Sequence, residues 1–140
     1  MILNHTIAKP VEQVYPYLSD MEKFVQVHPV VYKVEKIGET EYQFCEKIKI
    51  IFIPFDFKYK VNLKSILHNK DVEMHSNVKK GVHLELKFSF LSRNNSTHVE
   101  EIILIKSNFF VRLVFQSVIK RVHKKMFKNI SEIVWEQQAL

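Results

Sequence analysis

Between Val30 and Ile105 the apolar residues fall on alternate positions, and between Val111 and Ile133 they fall at steps of three and four. The first period is that of a half-buried strand and the second that of an amphipathic helix. In the strand region Phe55, Phe57, Tyr59, Val61 and Leu63 alternate with Asp56, Lys58, Lys60, Asn62 and Lys64. Val72 to Val78, Val82 to Phe90 and Thr97 to Ile105 repeat the pattern, after turns at His68–Asp71, Lys79–Gly81 and Arg93–Ser96. Val30 to Ile37 and Tyr42 to Ile51 flank a turn at Gly38–Thr40. Strands at this spacing with short turns predict an antiparallel meander. The terminal helix, capped by Ser107 or Asn108 and running about 45 Å at 1.5 Å per residue, has one place to bury its stripe: the concave face of that sheet.

The first thirty residues complete the order. Ile2 to Ala8 reads as a short strand with Leu3, His5 and Ile7 on one face. Pro10 opens a helix with Val11, Val14, Tyr15 and Leu18 as its stripe, and Pro16 limits it. Ser19-Asp20 caps a second short helix through Val27, which His28-Pro29 ends, because the residue before proline is pushed out of the α region. The expected order is strand, two short helices, six strands and a long helix.

Composition removes several chemistries. Gly38 and Gly81 are the two glycines, too few for a GxGxxG or P-loop phosphate cradle. Cys45 is the one cysteine, which excludes an intrachain disulfide and a CxxC motif. The longest apolar run, Ile50 to Phe55, is far short of the ~20 residues that span a bilayer, and no secretory segment can be drawn at the start, so a cytoplasmic location is expected. With no linker or repeat, the 140 residues are taken as one domain.

With this order in place, Ile7-Ala8-Lys9-Pro10-Val11-Glu12-Gln13-Val14-Tyr15, Leu18-Ser19-Asp20 and His28-Pro29 give the chain its resemblance to the START-like, or Bet v 1-like, superfamily. It looks closest to the polyketide cyclase/dehydrase and lipid-transport group, whose members commonly begin "I-x-A-P-x-E-x-V"; here Lys9 separates the Ala from the Pro. The resemblance implies an α+β helix-grip fold, a seven-stranded curved antiparallel sheet around the C-terminal helix. It also implies a cavity between them. It implies no catalytic set, because the superfamily contains lipid carriers, hormone binders, cyclases, ubiquinone chaperones and ribosome-associating factors.

The inward parity assigns Phe44, Ile48, Phe57, Tyr59, Val61, Met74, Leu84, Leu86 and Phe88 to the sheet wall of the cavity, and Phe115, Ile119 and Val122 to the helix wall. With 11 Phe in the chain, these side chains either line a pocket or fill it. His5, Glu46 and Glu101 share the inward parity, where a carboxylate is costly unless paired. A bulge could instead turn Glu46 outward, and Ile102 and Leu104 make the facing of Glu100 and Glu101 ambiguous. His75 and His83 fall on the outer face and read as ordinary exposed histidines; no metal or cofactor is expected. Cys45 lies opposite the Phe44 parity without a base at fixed spacing.

Lys and Arg exceed Asp and Glu, 21 to 15, and Arg121, Lys124, Lys125 and Lys128 gather on one helix face opposite the buried stripe, with His123 counted in the same basic cluster. That face is a solvated surface or a site for anionic lipid or RNA; with no aromatic RNP motif, nucleic acid is not the expected partner. In Lys49–Phe55 both parities are apolar and Pro54 is expected to break the ladder. Phe52 and Ile53, with Phe24, then form a gate at the cavity rim, a membrane-touching tip, or a dimer contact in a monomer or weak dimer. The leading functional reading is a carrier or sensor of a hydrophobic small molecule such as a lipid, quinone or polyketide-like compound. The alternatives are a cyclase or dehydratase working through Glu46, Glu101 and His5, and an interaction module using the basic helix on the ribosome or an anionic surface.

Overall fold

The computed structural model describes residues 1–66 and 70–133. Seven strands, β1 (Ile2–Ile7), β2 (Val31–Lys36), β3 (Glu41–Ile50), β4 (Ile53–Ile66), β5 (Asp71–Lys79), β6 (Val82–Arg93) and β7 (Ser96–Lys106), form one antiparallel sheet. Its order is β1-β7-β6-β5-β4-β3-β2, a meander whose first strand returns to pair with the last. The helix α4 (Phe109–Ser131) packs its apolar stripe on the sheet, with Ile119, Val122, Met126 and Ile130 buried. This is the helix-grip α+β fold. Of the turn expected at His68–Asp71, His68 and Asn69 lie outside the described residues.

The expected first helix divides in two. Val11–Val14 (α1) and Pro16–Ser19 (α2) meet at Tyr15, because Pro16 has no N–H to continue the first ladder and starts a new first turn instead. Asp20 caps α3 (Met21–Val27), its carboxylate accepting from the Glu22 amide at 3.0 Å. At the long helix Asn108, rather than Ser107, is the cap: its Oδ1 accepts from the Val111 amide at 2.9 Å. The helix ends with Glu132 as its C-cap, giving 23 residues and about 35 Å rather than 45 Å. Asn129 holds it to the short helices by donating to the Val27 carbonyl at 2.8 Å.

Pro54 does not break the ladder. It lies inside β4 opposite Lys49, and the hairpin turns at Ile51 and Phe52. The tolerance has a simple origin. Pairing of β4 with β5 begins only at Val61, so the segment around Pro54 has a neighbour on one side alone and its missing N–H removes no second ladder. The β3–β4 tip therefore projects past the sheet at the same end as the β5–β6 turn and the start of α4.

Burial is uneven along α4. No residue from Phe109 to Val118 is buried, whereas Ile119, Val122, His123, Met126, Phe127 and Ile130 all are. The second half is the anchor of the helix. The first half lies over the sheet as a loosely held cover.

Candidate functional site

Between that cover and the sheet is a cavity lined by Phe44, Glu46, Ile48 and Ile50 of β3, Phe57 and Tyr59 of β4, and Met74 and Val78 of β5. Leu84 and Leu86 of β6 continue the wall. Phe115, Val118, Ile119, Val122 and His123 of α4, with Phe24, His28 and Val31, close it. Its free volume is about 70 Å³. That is about half of the ~150 Å³ in which an apolar cavity takes up benzene, and well below the ~300–1,000 Å³ of pockets for drug-sized ligands. The aromatic side chains of the lining therefore fill most of the space in this closed form.

Glu46 faces the cavity; no bulge turns it outward. Tyr59 donates its hydroxyl to Glu46 Oε2 at 2.6 Å. Burial pushes the Glu46 carboxyl up, and the Tyr59 hydrogen bond and the nearby His123 oppose this without cancelling it. Burial, with the Glu46 charge and hydrogen bond, drives the Tyr59 phenol well above its ordinary value, so it stays a donor.

His28 follows α3, and its Nδ1 accepts from the amides of Val30 at 3.2 Å and Val31 at 2.9 Å. A nitrogen that accepts twice carries no proton, so the neutral ring must be the Nε2–H tautomer. Burial first, and the neighbouring His123 second, hold its pKa well below the ordinary histidine value and keep it neutral. Among the described residues, His28 Nε2, His123 Nε2 and Glu46 Oε1 have no hydrogen-bond partner, although all three side chains line the cavity.

Glu101 and His5 lie behind this wall. Glu101 is fully buried, hydrogen-bonded to His5 Nε2 at 3.2 Å and to His123 Nδ1. Burial alone would raise its pKa; the charge and hydrogen bond of His123, together with those of His5, outweigh that and hold it below the ordinary carboxylate value. The pairing register settles the parity that Ile102 and Leu104 left open: Glu101 stands opposite Phe88 and Leu3, and Leu104 points outward. His5 stacks on Phe127 with ring centroids 4.0 Å apart and faces an outer groove that it shares with Arg121, Lys124, Lys125 and Lys128.

Of the side chains anticipated for the cavity, Phe44, Glu46, Phe57, Tyr59, Met74, Leu86, Phe115 and Ile119 line it. Phe88 does not; it is fully buried against His123 and Phe127 because its strand position lies beyond the cavity, beside Glu101. Phe24 is a buried lining residue rather than part of an exposed rim. Phe52 and Ile53 sit on the exposed hairpin tip, Phe52 with 95% of its surface accessible. Sequence reasoning misses His28 and His123 as lining residues. His123 has basic neighbours on both sides, yet it falls four residues after Ile119 and three before Met126, on the apolar stripe. On the outer face His75 and His83 do stand side by side, and with Glu85 they offer three ligand atoms within 4.8 Å of one another, an arrangement able to hold a metal ion. Cys45 is buried.

The profile of the carbon monoxide dehydrogenase CoxG family matches residues 4–137. No curated protein matches the sequence. Among solved structures, a conserved protein from Geobacillus kaustophilus has a TM-score of 0.76 at 17% identity, over 92% of this chain and 90% of that one. A START superfamily protein from Mycobacterium smegmatis has a TM-score of 0.73 at 12% identity, over 96% and 98%. The Zhui aromatase/cyclase from Streptomyces sp. R1128 has a TM-score of 0.67 at 11% identity, over 94% and 90%. At these identities the structural likeness carries the fold.

Proposed function

The chain belongs to the carbon monoxide dehydrogenase CoxG family, within the START-like/Bet v 1-like superfamily, and on that premise we propose that its 140 residues act as one domain that carries or senses a hydrophobic small molecule. The observation that carries this reading is the set of three unpartnered polar atoms, on His28, His123 and Glu46, aimed into an otherwise apolar cavity. Buried polar atoms without partners are unfavourable by about 1–3 kcal/mol each, and a ligand's polar end removes that penalty. His28 supplies a fixed N–H donor, so the polar end includes an acceptor such as a carbonyl or ether oxygen. The rest of the ligand is apolar, a lipid, quinone or polyketide-like body, and its burial contributes roughly 25 cal/mol per Å².

Entry requires expansion from 70 Å³, and the first half of α4 is the segment with least to lose by moving. The mouth that this motion opens is bordered by exposed apolar groups, Ile51, Phe52 and Ile53 on the hairpin and Phe109 and Phe110 on the helix. Lys47 and Lys49 flank the hairpin. That combination suits transient contact with a bilayer carrying anionic lipid, from which an apolar ligand would pass into the cavity.

Native mass spectrometry of gently purified protein tests the reading. One releasable small-molecule adduct per chain is expected, or one adduct after incubation with a naphthoquinone. A bare chain under both conditions would overturn it.

A further inference from the structure

We propose that His5, Glu101 and His123 form a proton relay through the wall between the basic outer groove and the cavity, taking up a proton on one side as a proton is released to the ligand's polar end on the other. This rests on the reading of the cavity as a ligand site and extends it.

Three elements meet at one carboxylate: His5 belongs to β1, Glu101 to β7 and His123 to α4. The two carboxylate oxygens serve different histidines. Oε1 meets His5 Nε2 at 3.2 Å, and Oε2 meets His123 Nδ1. Each imidazole is thereby left with its other nitrogen unpartnered among the described residues, Nδ1 on the ring that borders the groove and Nε2 on the ring that borders the cavity. A buried ion pair made only for stability has no need of two histidines opening on opposite sides of a wall, and apolar replacement of such clusters is often neutral or stabilising.

A buried carboxylate flanked by two rings is neutralised by one imidazolium, and the relay moves that charge from ring to ring. With the charge on His123, its Nδ1–H stays on Glu101 Oε2 and its Nε2–H bond breaks to give a proton to the ligand. His5 then forms an Nδ1–H bond with a proton from groove water and keeps its Nε2–H on Oε1. One proton enters, one leaves, Glu101 remains a carboxylate, and no electrons are exchanged. Release of the groove proton and return of the cavity proton reverse the step.

The charged and titratable neighbours set the resting direction. On the groove side Arg121, Lys124, Lys125 and Lys128 of α4 oppose a positive charge on His5. On the cavity side Glu46 of β3, bonded to Tyr59 of β4, favours one on His123. His28 stays neutral, its ring 6.1 Å from that of His123 between centroids, so the two do not share the charge.

The test uses protein with ¹⁵N-labelled histidine, titrated with and without 2-naphthoate, whose carboxylate accepts from His123 Nε2–H. The relay predicts that saturation with naphthoate moves the His5 titration to lower pH by at least ~0.5 unit, although His5 does not touch the cavity. Glu101→Gln abolishes that response. In His5→Phe, which keeps an aromatic ring on Phe127, His123 titrates in a single step independent of the groove. A His5 curve unmoved by bound naphthoate, or a His123 curve identical in wild type and His5→Phe, overturns the relay and leaves a structural cluster. Should Glu101→Gln not fold, the wild type and His5→Phe decide. Naphthoate fluorescence separates the two claims: no saturable binding removes the ligand reading, while intact binding without the His5 response removes the relay.

Discussion

Tyr59 donates to Glu46 Oε2 at 2.6 Å inside the cavity, joining two side chains that stand one diagonal step apart on β3 and β4. Burial leaves the Glu46 carboxyl above its ordinary value. The folded chain therefore holds this proton more tightly than the unfolded chain, and the stability linked to it is present at low pH and lost as pH rises through the folded value. Glu46→Gln should raise the thermal midpoint near pH 7, with the gain fading below about pH 4, near the ordinary carboxylate value. Tyr59→Phe, which strands the carboxylate, should lower stability by about 1–3 kcal/mol in urea unfolding at pH 7.

Glu101 has the opposite sign. Its carboxyl is held below the ordinary value by His123 and His5 against the effect of burial. The unfolded chain binds that proton more readily, so the stabilisation is full above about pH 4–5 and lost as pH falls through the folded value. Glu101→Ala removes the shared partner of two histidines and should destabilise by about 3–5 kcal/mol at pH 7. The difference from wild type should shrink in acid, as read by urea midpoints across a pH series.

The fold was legible in the sequence because two different periods each bury one face. The same alternation located Glu46, whose place between Phe44 and Ile48 held in the structure. Other features depend on what lies across the sheet. Apolar side chains on both faces of β7 hid which glutamate turns inward until pairing with β1 and β6 fixed the register. Pro54 looked like a ladder break because sequence does not show that β5 ends before reaching it. His123 was readable from the helical stripe and was obscured by the lysines beside it. His28 had no such signal, since its role comes from two amides that fold back onto its ring.

The hairpin tip carries strain that its residue types do not relieve. Ile51 and Phe52 have φ of 50° and 65°, the left-handed region of a type I′ turn, where Asn-Gly is the favoured pair and a β-branched residue is disfavoured. Ile51→Asn with Phe52→Gly should stabilise the chain by about 1–2 kcal/mol. The same change should reduce sedimentation with phosphatidylglycerol vesicles. Unchanged vesicle binding would remove the tip from the membrane contact.

Mobility of the cover is checked by hydrogen exchange. Amides from Arg112 to Val118 should exchange faster than those from Lys120 to Ile130, because only the latter half is anchored by buried side chains. Phe115→Ala should cost less than the about 3–5 kcal/mol of a core Phe→Ala, since Phe115 is half-buried, and should increase ligand uptake by enlarging the cavity.

The central claim is that an apolar ligand enters between the sheet and α4. The direct measurement is an NMR titration of the labelled protein with 2-naphthol, following stoichiometry and intermolecular cross-peaks. The account predicts saturation at one molecule per chain, with cross-peaks to Met74, Phe115 and His123. Non-saturating shifts, with cross-peaks confined to exposed groups such as Phe52 and Phe110, would contradict it.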